Sequence, residues 1–446
     1  MEKRYGNLHL AFFVAGESCS MKENLTAIPF MLSTELTLHA NPNFTVCQTS
    51  RALQALKLSA PLHFCFLKEL VAKKPIRGGV TMEDKQFGQI IMRLIRGGHM
   101  SRTETYEAFC SILNDEVTEM QQGAFLAALC AKGETEQEIA GAWQAIYDLD
   151  TEKARVRTVR PLVDNCGTGM DTFKTFNIST GASLIASAGG IPMARHGARA
   201  LTSTCGTVDI AEALGVDVEC DVAVVAKSIE KARIGLFNGM SPKTHPNALG
   251  RILSKIFFGS TLNIAASLAN PALPKFAVRG VYSRDMLVPV SKVMRELGYL
   301  RALIVNGEID GSEDLSIDEA SVIGPTYCAE LGEDGQITEF EIHPSALGIS
   351  NADPQELAPH GTKEQEAKAM VDLLRGKGSQ TRLYAVALNA SLVFYVSGES
   401  PSIGDGFEKA REILDSGLGY EQLRRWVMTQ NRDPESGLRR LEQVSG

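Results

Sequence analysis

The stretch DNCGTGMDTFKTFNISTG, Asp164 to Gly181, gathers residue types suited to holding an anion. Gly167, Thr168 and Gly169 stand next to Asp171, and Thr175, Asn177, Ser179 and Thr180 follow closely. Glycine tolerates positive φ and lacks the Cβ that blocks close approach. A strand turning through Gly-Thr-Gly can therefore aim successive backbone N–H groups at one point. A helix opening near Ser179 would add its unpaired N–H groups and the positive end of its dipole. The hydroxyls of Thr168, Thr175, Ser179 and Thr180 are further donors, and a diphosphate is a ligand with enough acceptors for all of them. Gly-x-Gly alone is a weak signal, because tight turns use it constantly. On that fragment by itself, a turn followed by a helix cap outweighs the anion reading.

The next segment, ARHGARALTSTCGTVDIAEALG, shifts the balance. Arg195, His196 and Arg199 lie in one loop-like stretch, followed by Thr202, Ser203 and Thr204. Arginine offers a forked set of donors that matches phosphate. Taken singly, His196 reads as a structural hydrogen-bonder and the Ser/Thr run as polar loop.

The elements that must position these residues follow from periodicity. Residues 1–82 mix short apolar runs with polar breaks and suggest a small α/β extension with no chemical motif. From Asp84 the pattern sharpens. KQFGQIIMRLIRGG has helical spacing and stops at a glycine pair. SRTETYEAFCSILN opens with Ser101 and Glu104 in capping-box spacing, and two further helices open on threonine. These form a compact helical unit ending near Thr151. RPLVDNCGTG then reads as a strand entering a glycine turn. GASLIASAGGIPMARHG reads as helix, glycine stop and strand, and DIAEALGVDVE repeats helix then strand. RALIVNGEI, ITEFEIH and RLYAVAL read as strands; LVPVSKVMRELG and EKAREILDSG read as helices. GTKEQEAKAMVDLLRGKGSQ reads as a solvated helix. Such alternation implies an α/β sheet domain.

Composition excludes several classes. The chain has 446 residues, 44 % apolar and 22 % charged, enough for two or three domains of an ordinary globular protein. A formal net charge of -8 argues against a general nucleic-acid coat protein. Nine scattered cysteines, with no CxxC, fit reduced core thiols better than disulfides or a zinc site. No apolar run reaches the about 18 residues of a membrane span. LHLAFFVAG, near the N-terminus, reads as a buried strand rather than a signal-peptide core, which makes the cytoplasm the expected location.

The motifs GTGMD, FNIST, ARHGAR and TSTCGTVDIAEALG resemble those of anthranilate phosphoribosyltransferases, a family within a class shared with pyrimidine-type nucleoside phosphorylases. MQQGAFLAALCAKGETEQEIAGAWQAI, LANPA, RGVYS, RALIVNGEIDGSEDLS, IGPTYCAEL and LNASLVFYVSGESPSIGDGFEKAREILDSG extend the likeness over roughly residues 85–430. The resemblance implies transfer of the phosphoribosyl group of 5-phosphoribosyl 1-diphosphate (PRPP) to an aromatic amine, anthranilate in tryptophan biosynthesis, with release of diphosphate. It implies a small helical domain plus a larger α/β domain with a central mixed sheet, substrates in the cleft between them, a homodimer and Mg2+. The domain expectation is an extension over 1–82, a helical domain over 83–152 joined by helices around 240–258, an α/β domain over 153–430 and a C-terminal tail over 431–446.

Carried over by position, Gly167, Thr168, Gly169, Asp171, Thr175, Asn177, Ser179 and Thr180 match the diphosphate loop. Arg195, where the family has lysine, His196, Gly197, Arg199, Thr202, Ser203 and Thr207 match further PRPP contacts. Ser179 matches a magnesium contact, and Glu313 and Asp314 are assigned as the acidic pair that holds the metal, in an order reversed from the family's Asp then Glu. Gly167, Ala198, His245 and Arg251 are the acceptor-side candidates.

The departures cluster on the acceptor side. Ala198 replaces the asparagine that contacts anthranilate. The helix after THP is shorter, leaving Arg251 as the nearest candidate for the anthranilate-binding arginine. The usual GPLxNPA reads AASLANPA, and FNGMSPKTHP ahead of His245 is unusual. Met170 replaces a glycine beside Asp171, where its side chain could crowd the diphosphate or point away. The PRPP half of the likeness is thus firmer than the acceptor half. Three alternatives stay open: a related transferase with another aromatic or heterocyclic acceptor, a nucleoside phosphorylase, and a non-catalytic paralogue binding nucleic acid through Arg195, Arg199, Arg251 and Arg424.

Overall fold

The computed structural model describes residues 84–446 except 169–171, 201–204 and 310–311, with residues 84 and 312–314 described by backbone alone. In the N-terminal region it describes the backbone of β1 (Phe12–Val14) and β2 (Glu17–Cys19), which pair antiparallel. They belong to a unit, Met1–Pro75, separate from Ile76–Gly446. β1 falls in the run read as a strand; the burial of both strands, and the rest of 1–82 beyond them, lie outside the described residues.

The second unit opens with four helices, α1 (Asp84–Ile95), α2 (Arg102–Leu113), α3 (Glu119–Lys132) and α4 (Glu136–Asp150). Ser101 with Glu104, Thr118 with Gln121 and Thr135 with Glu138 form reciprocal capping boxes that fix the starts of α2, α3 and α4. Gly97, at φ 78°, ends α1 in the left-handed conformation that glycine adopts without strain.

β3 (Val163–Cys166), α5 (Ile178–Ala188), β4 (Met193–Gly197), α6 (Thr207–Ala213), α7 (Val222–Ala232) and β5 (Ile234–Asn238) follow. Next come α8 (Leu249–Ile256), α9 (Thr261–Leu268), β6 (Phe276–Gly280), α10 (Leu287–Glu296), β7 (Arg301–Ile309), β8 (Ser312–Ile317), β9 (Thr326–Leu331) and β10 (Ile337–Ile342). Helices α11 (Pro354–Leu357), α12 (Lys363–Leu374), α13 (Gln380–Val396), α14 (Ile403–Asp415), α15 (Leu418–Thr429) and α16 (Pro434–Ser445) close the chain. The sheet order is β10-β9-β7-β6-β3-β4-β5, with β8 on β7. β5, β4, β3, β6 and β7 run parallel, and β8, β9 and β10 pair antiparallel. The mixed central sheet is as expected.

Both sheet faces are covered, as parallel strands require. Val163, Met193, Leu236 and Val278 pack with α5, α13 and α15, where Phe394 and Trp426 are fully buried. Ala277, Ala302 and Ile304 pack on the other face with α10 and with Ile139 of α4. The helical core of Phe87, Phe109, Phe125 and Leu129 also takes in Leu249 and Ile252 of α8 and Leu262 of α9. These two helices therefore bring the segment after β5 back onto the bundle.

Three local readings need correction. RLYAVAL is not a strand but part of α13, capped by the Ser379 hydroxyl accepting from the Arg382 N–H. Ala385, Val386, Ala387 and Leu388 are all buried, so this helix is apolar on every side and carries no 3.6-residue signature. GVDVE is not a strand either. Val216 and Val218 do alternate inward, but the Asp217 N–H donates to the Gln430 carbonyl instead of joining the sheet. The solvated helix α12 buries Ala367, Met370, Val371 and Leu374 and is amphipathic. Most of 431–446, the C-terminal segment, is α16, with Leu441 buried.

Candidate active site

The site forms where β3, β4 and β6 end together. Side chains alternate across a sheet, so neighbouring residues on these strands face opposite ways. Asn165 and Arg195 point toward α5; Asp164 and His196 point toward α9.

On the α5 side, Arg195 is 1 % exposed. It donates from Nη1 to Thr180 Oγ1 at 2.8 Å, from Nη2 to Ser179 Oγ at 3.1 Å and from Nε to the Asn165 carbonyl at 3.3 Å. Burial pulls its pKa down from the usual arginine value. Asn165 Nδ2 donates to the Ser179 carbonyl at 3.3 Å, and Asn177 Nδ2 to the Cys205 carbonyl at 3.1 Å. The buried Thr168 hydroxyl has no hydrogen-bond partner among the described residues.

The segment after β8 crosses over these strand ends. A Cβ at Gly167 would collide with the Asp318 carboxylate, and one at Gly280 would overlap the Asp318 carbonyl. Both positions thus require glycine for close approach. Glu319 Oε1 accepts the Ser179 N–H at 3.2 Å, which places a carboxylate on the N-terminus of α5, where the helix dipole favours negative charge.

This alters the expected acidic pair. The backbone of Glu313 and Asp314 lies in β8, and their side chains are outside the described residues. The acids that reach Ser179 and Gly167 are Asp318 and Glu319. The sequence carried the signal: SIDEAS holds an Asp-Glu pair in the family's own order, shortly after the pair first chosen.

On the α9 side, His196 and His245 meet edge to face, with Nε2 atoms 3.2 Å apart. His245 Nδ1 donates to the Asp150 carbonyl at 2.7 Å, and His196 Nδ1 lies 3.3 Å from the Ser267 carbonyl. His245 Nδ1 also lies 3.3 Å from the Thr151 hydroxyl, so both nitrogens of each ring face polar neighbours. Burial, then the facing His245 ring, push the His196 pKa down to about 3. The Asp150 carboxylate accepts the N–H groups of Ala248 at 3.0 Å and Leu249 at 2.7 Å, fixing the start of α8 beside His245.

The remaining candidates divide. Thr175 and Gly197 are half-buried near the loop, and Thr207 opens α6 against Gly197. Arg199 pairs with Asp209 at 3.0 Å and Glu212 at 2.9 Å. Ala198 is exposed at the end of β4. Arg251 turns into the helical bundle, where it meets Asp115 at 2.9 Å, Gln122 Oε1 at 3.1 Å and the Ile112 carbonyl at 3.0 Å. Gly169, Met170, Asp171, Thr202 and Ser203 lie outside the described residues.

Comparison with known proteins converges on this architecture. Residues 159–420 match the glycosyl transferase family a/b domain, and residues 88–149 match that family's helical bundle domain. The anthranilate phosphoribosyltransferase of Methanothermobacter thermautotrophicus is 33 % identical over 349 residues, covering 77 % of this chain and 97 % of that one. The Azospirillum brasilense enzyme is 35 % identical over 342 residues, covering 77 % and 92 %. The chain belongs to the anthranilate phosphoribosyltransferase family. The solved Thermus thermophilus member superposes with a TM-score of 0.68 at 33 % identity, over 76 % of this chain and 98 % of that one. The fold is also that of the Saccharomyces cerevisiae member solved with PRPP and Mg, with a TM-score of 0.68 at 22 % identity over 81 % and 100 %.

The depressed His196 pKa sets a pH dependence. Below its ordinary value of 6.5 the unfolded ring takes up a proton that the folded ring refuses until about 3, so stability falls as pH falls through that window. Between pH 7 and pH 5 the contribution is about 2 kcal/mol. Urea unfolding at the two pH values should show a smaller pH effect in His196→Asn than in the wild type; an equal effect would show that the ring does not titrate this way.

Proposed function

We propose that this protein is a magnesium-dependent transferase moving the phosphoribosyl group of PRPP to an aromatic amine, with anthranilate as acceptor in tryptophan biosynthesis. Family membership supports the reaction. The observation that carries it on this chain is the Asp318–Glu319 segment lying against Gly167 and Ser179, at a glycine turn followed by a helix N-terminus.

The donor set is all oxygen: the Ser179 hydroxyl and the carboxylates of Asp318 and Glu319. That fits magnesium, which takes one or two carboxylates and completes its shell with water and phosphate oxygens. Magnesium supplies charge to a diphosphate leaving group. Gly167, Thr168, Gly169, Asp171, Thr175, Asn177, Ser179 and Thr180 are assigned to the diphosphate, together with Gly197, Thr202, Ser203 and Thr207. Arg195 positions the Ser179 and Thr180 hydroxyls. Arg199 is assigned to the same ligand, for which it would exchange part of its ion pairing with Asp209 and Glu212.

Displacement at the anomeric carbon passes through an oxocarbenium-like state. The chain's part is to hold leaving group and amine in line and to stabilise the departing charge, so no enzyme nucleophile is needed. On the acceptor side, Gly167, Ala198 and the neutral His196–His245 pair line the approach. Arg251 is assigned a structural role there, through its bonds to the bundle.

We further place the protein in the cytoplasm as a homodimer through the helical bundle. No described helix is long and apolar enough to cross a membrane. Ile95 and Met120 of the bundle and Phe257 beside it are exposed apolar side chains that a second copy would cover. Light scattering should give twice the chain mass, and a monomer at micromolar concentration would remove this part.

Ser179→Ala and Glu319→Gln should each lower magnesium-dependent diphosphate release roughly 10-fold or more, and each should also cost roughly 1–3 kcal/mol of stability through Arg195, so activity is compared where both variants remain folded. Loss at Glu313→Gln with Glu319→Gln unaffected would return the metal to the earlier pair. Ala198→Asn, which restores an amide, should raise kcat/KM for anthranilate roughly 5-fold. No gain would mean that the amide has no partner here.

A further inference from the structure

The α9 side of the site contains a charge that the reaction as described leaves unused. Arg279, on β6, is 3 % exposed. Its Nη2 donates to Ser267 Oγ, while its buried Nη1 has no hydrogen-bond partner among the described residues. A buried guanidinium N–H without an acceptor is costly, and here the sister nitrogen is already committed to Ser267.

Its position ties it to the site. Arg279 pairs in register with Cys166, the residue before Gly167. The same Ser267 whose hydroxyl takes Nη2 presents its carbonyl to His196. Ser267 stands in AASLANPA where the usual stretch has proline, which could offer no hydroxyl. The altered acceptor-side sequence and the unpaired guanidinium are therefore one feature. Arg251, the arginine first chosen for the acceptor, already has partners on α2 and α3 and on the turn between them.

We propose that Arg279 is the carboxylate anchor of the acceptor subsite, with Nη1 taking one oxygen of an aromatic amino acid's carboxylate and Ser267 holding the guanidinium in position. The assignment rests on the transferase reading and narrows its acceptor class to aromatic amines that carry an acid. Asp164, on neighbouring β3, has an unpaired buried Oδ1 on the same sheet face. Its charge compensates the guanidinium when no acceptor is bound, and its oxygen can accept an amine N–H when one is.

The test compares anthranilate with 2-aminobenzamide, in which a neutral amide replaces the carboxylate. With the full chain, PRPP and magnesium, the ratio of kcat/KM for acid over amide should fall roughly 10- to 100-fold in Arg279→Met, since a charge-assisted hydrogen bond is lost. Arg279→Lys should retain part of the ratio. Calorimetry with benzoate supplies a readout independent of turnover, and its affinity should weaken similarly in Arg279→Met. An unchanged ratio, an equal loss for both acceptors, or no benzoate binding by the wild type would overturn the anchor. Benzoate binding that depends on Arg279, in a protein that transfers to no amine, would sink the transferase reading and keep the anchor. If Arg279→Met does not fold, Ser267→Ala decides: the ratio falls in the same direction, or the anchor is rejected.

Discussion

The Arg195 guanidinium touches solvent with only 1 % of its surface and donates to a strand carbonyl and two helix hydroxyls. A charge buried that deeply survives only if its donors are satisfied and opposite charge lies near. Asn165, Ser179 and Thr180 meet the first condition; Asp164 and Glu319 meet the second. The consequence is mechanical. β4, β3 and the first turn of α5 are tied at one point, so the turn leaving β3 at Gly167 has a fixed start and a fixed landing. A lysine there would carry the charge with a point-like head. The arginine fork reaches two hydroxyls and a carbonyl at once.

Strand alternation then divides the work. Asp164 and Asn165 are adjacent in sequence, as are Arg195 and His196, yet each pair is split between the two faces. Asn165 and Arg195 face α5, while Asp164 and His196 face α9 with Arg279 and Asn270. One short motif therefore furnishes two separate faces. Under the proposed assignment, a substitution on the α9 face, such as Ala198 or Ser267, would revise the acceptor without moving the phosphate loop.

The strand before the glycine turn and the helix after it were legible because glycine and helix-former signals are local. The same holds for the three capping boxes of the bundle, each within four residues. Arg382–Leu388 was illegible because a helix buried on all sides has no polar face to reveal its period. Val216–Glu219 misled because its inward alternation is satisfied by the chain near Gln430, far along the sequence. The Asp-Glu pair that lies against Ser179 and Gly167 stands five residues after Glu313–Asp314, and nothing local distinguishes the two pairs. What distinguishes them is the crossing over β3 and β6, which Gly167 and Gly280 make room for. Arg279 could not be singled out at all: an arginine inside a strand gains meaning only when its neighbours leave one nitrogen unpaired.

The buried groups at the strand ends also shape what a phosphate would meet. Asp164, Arg195, Arg279, Asp318 and Glu319 are all buried there. Glu319 accepts the Ser179 N–H at the α5 N-terminus, where its charge answers the helix dipole, and burial raises the Asp164 pKa to about 6. A phosphate oxygen that takes the Ser179 N–H must therefore displace a carboxylate. Under the proposed function, a divalent cation entering with the sugar phosphate would engage the Asp318 and Glu319 carboxylates, and the helix N-terminus would turn from carboxylate to phosphate.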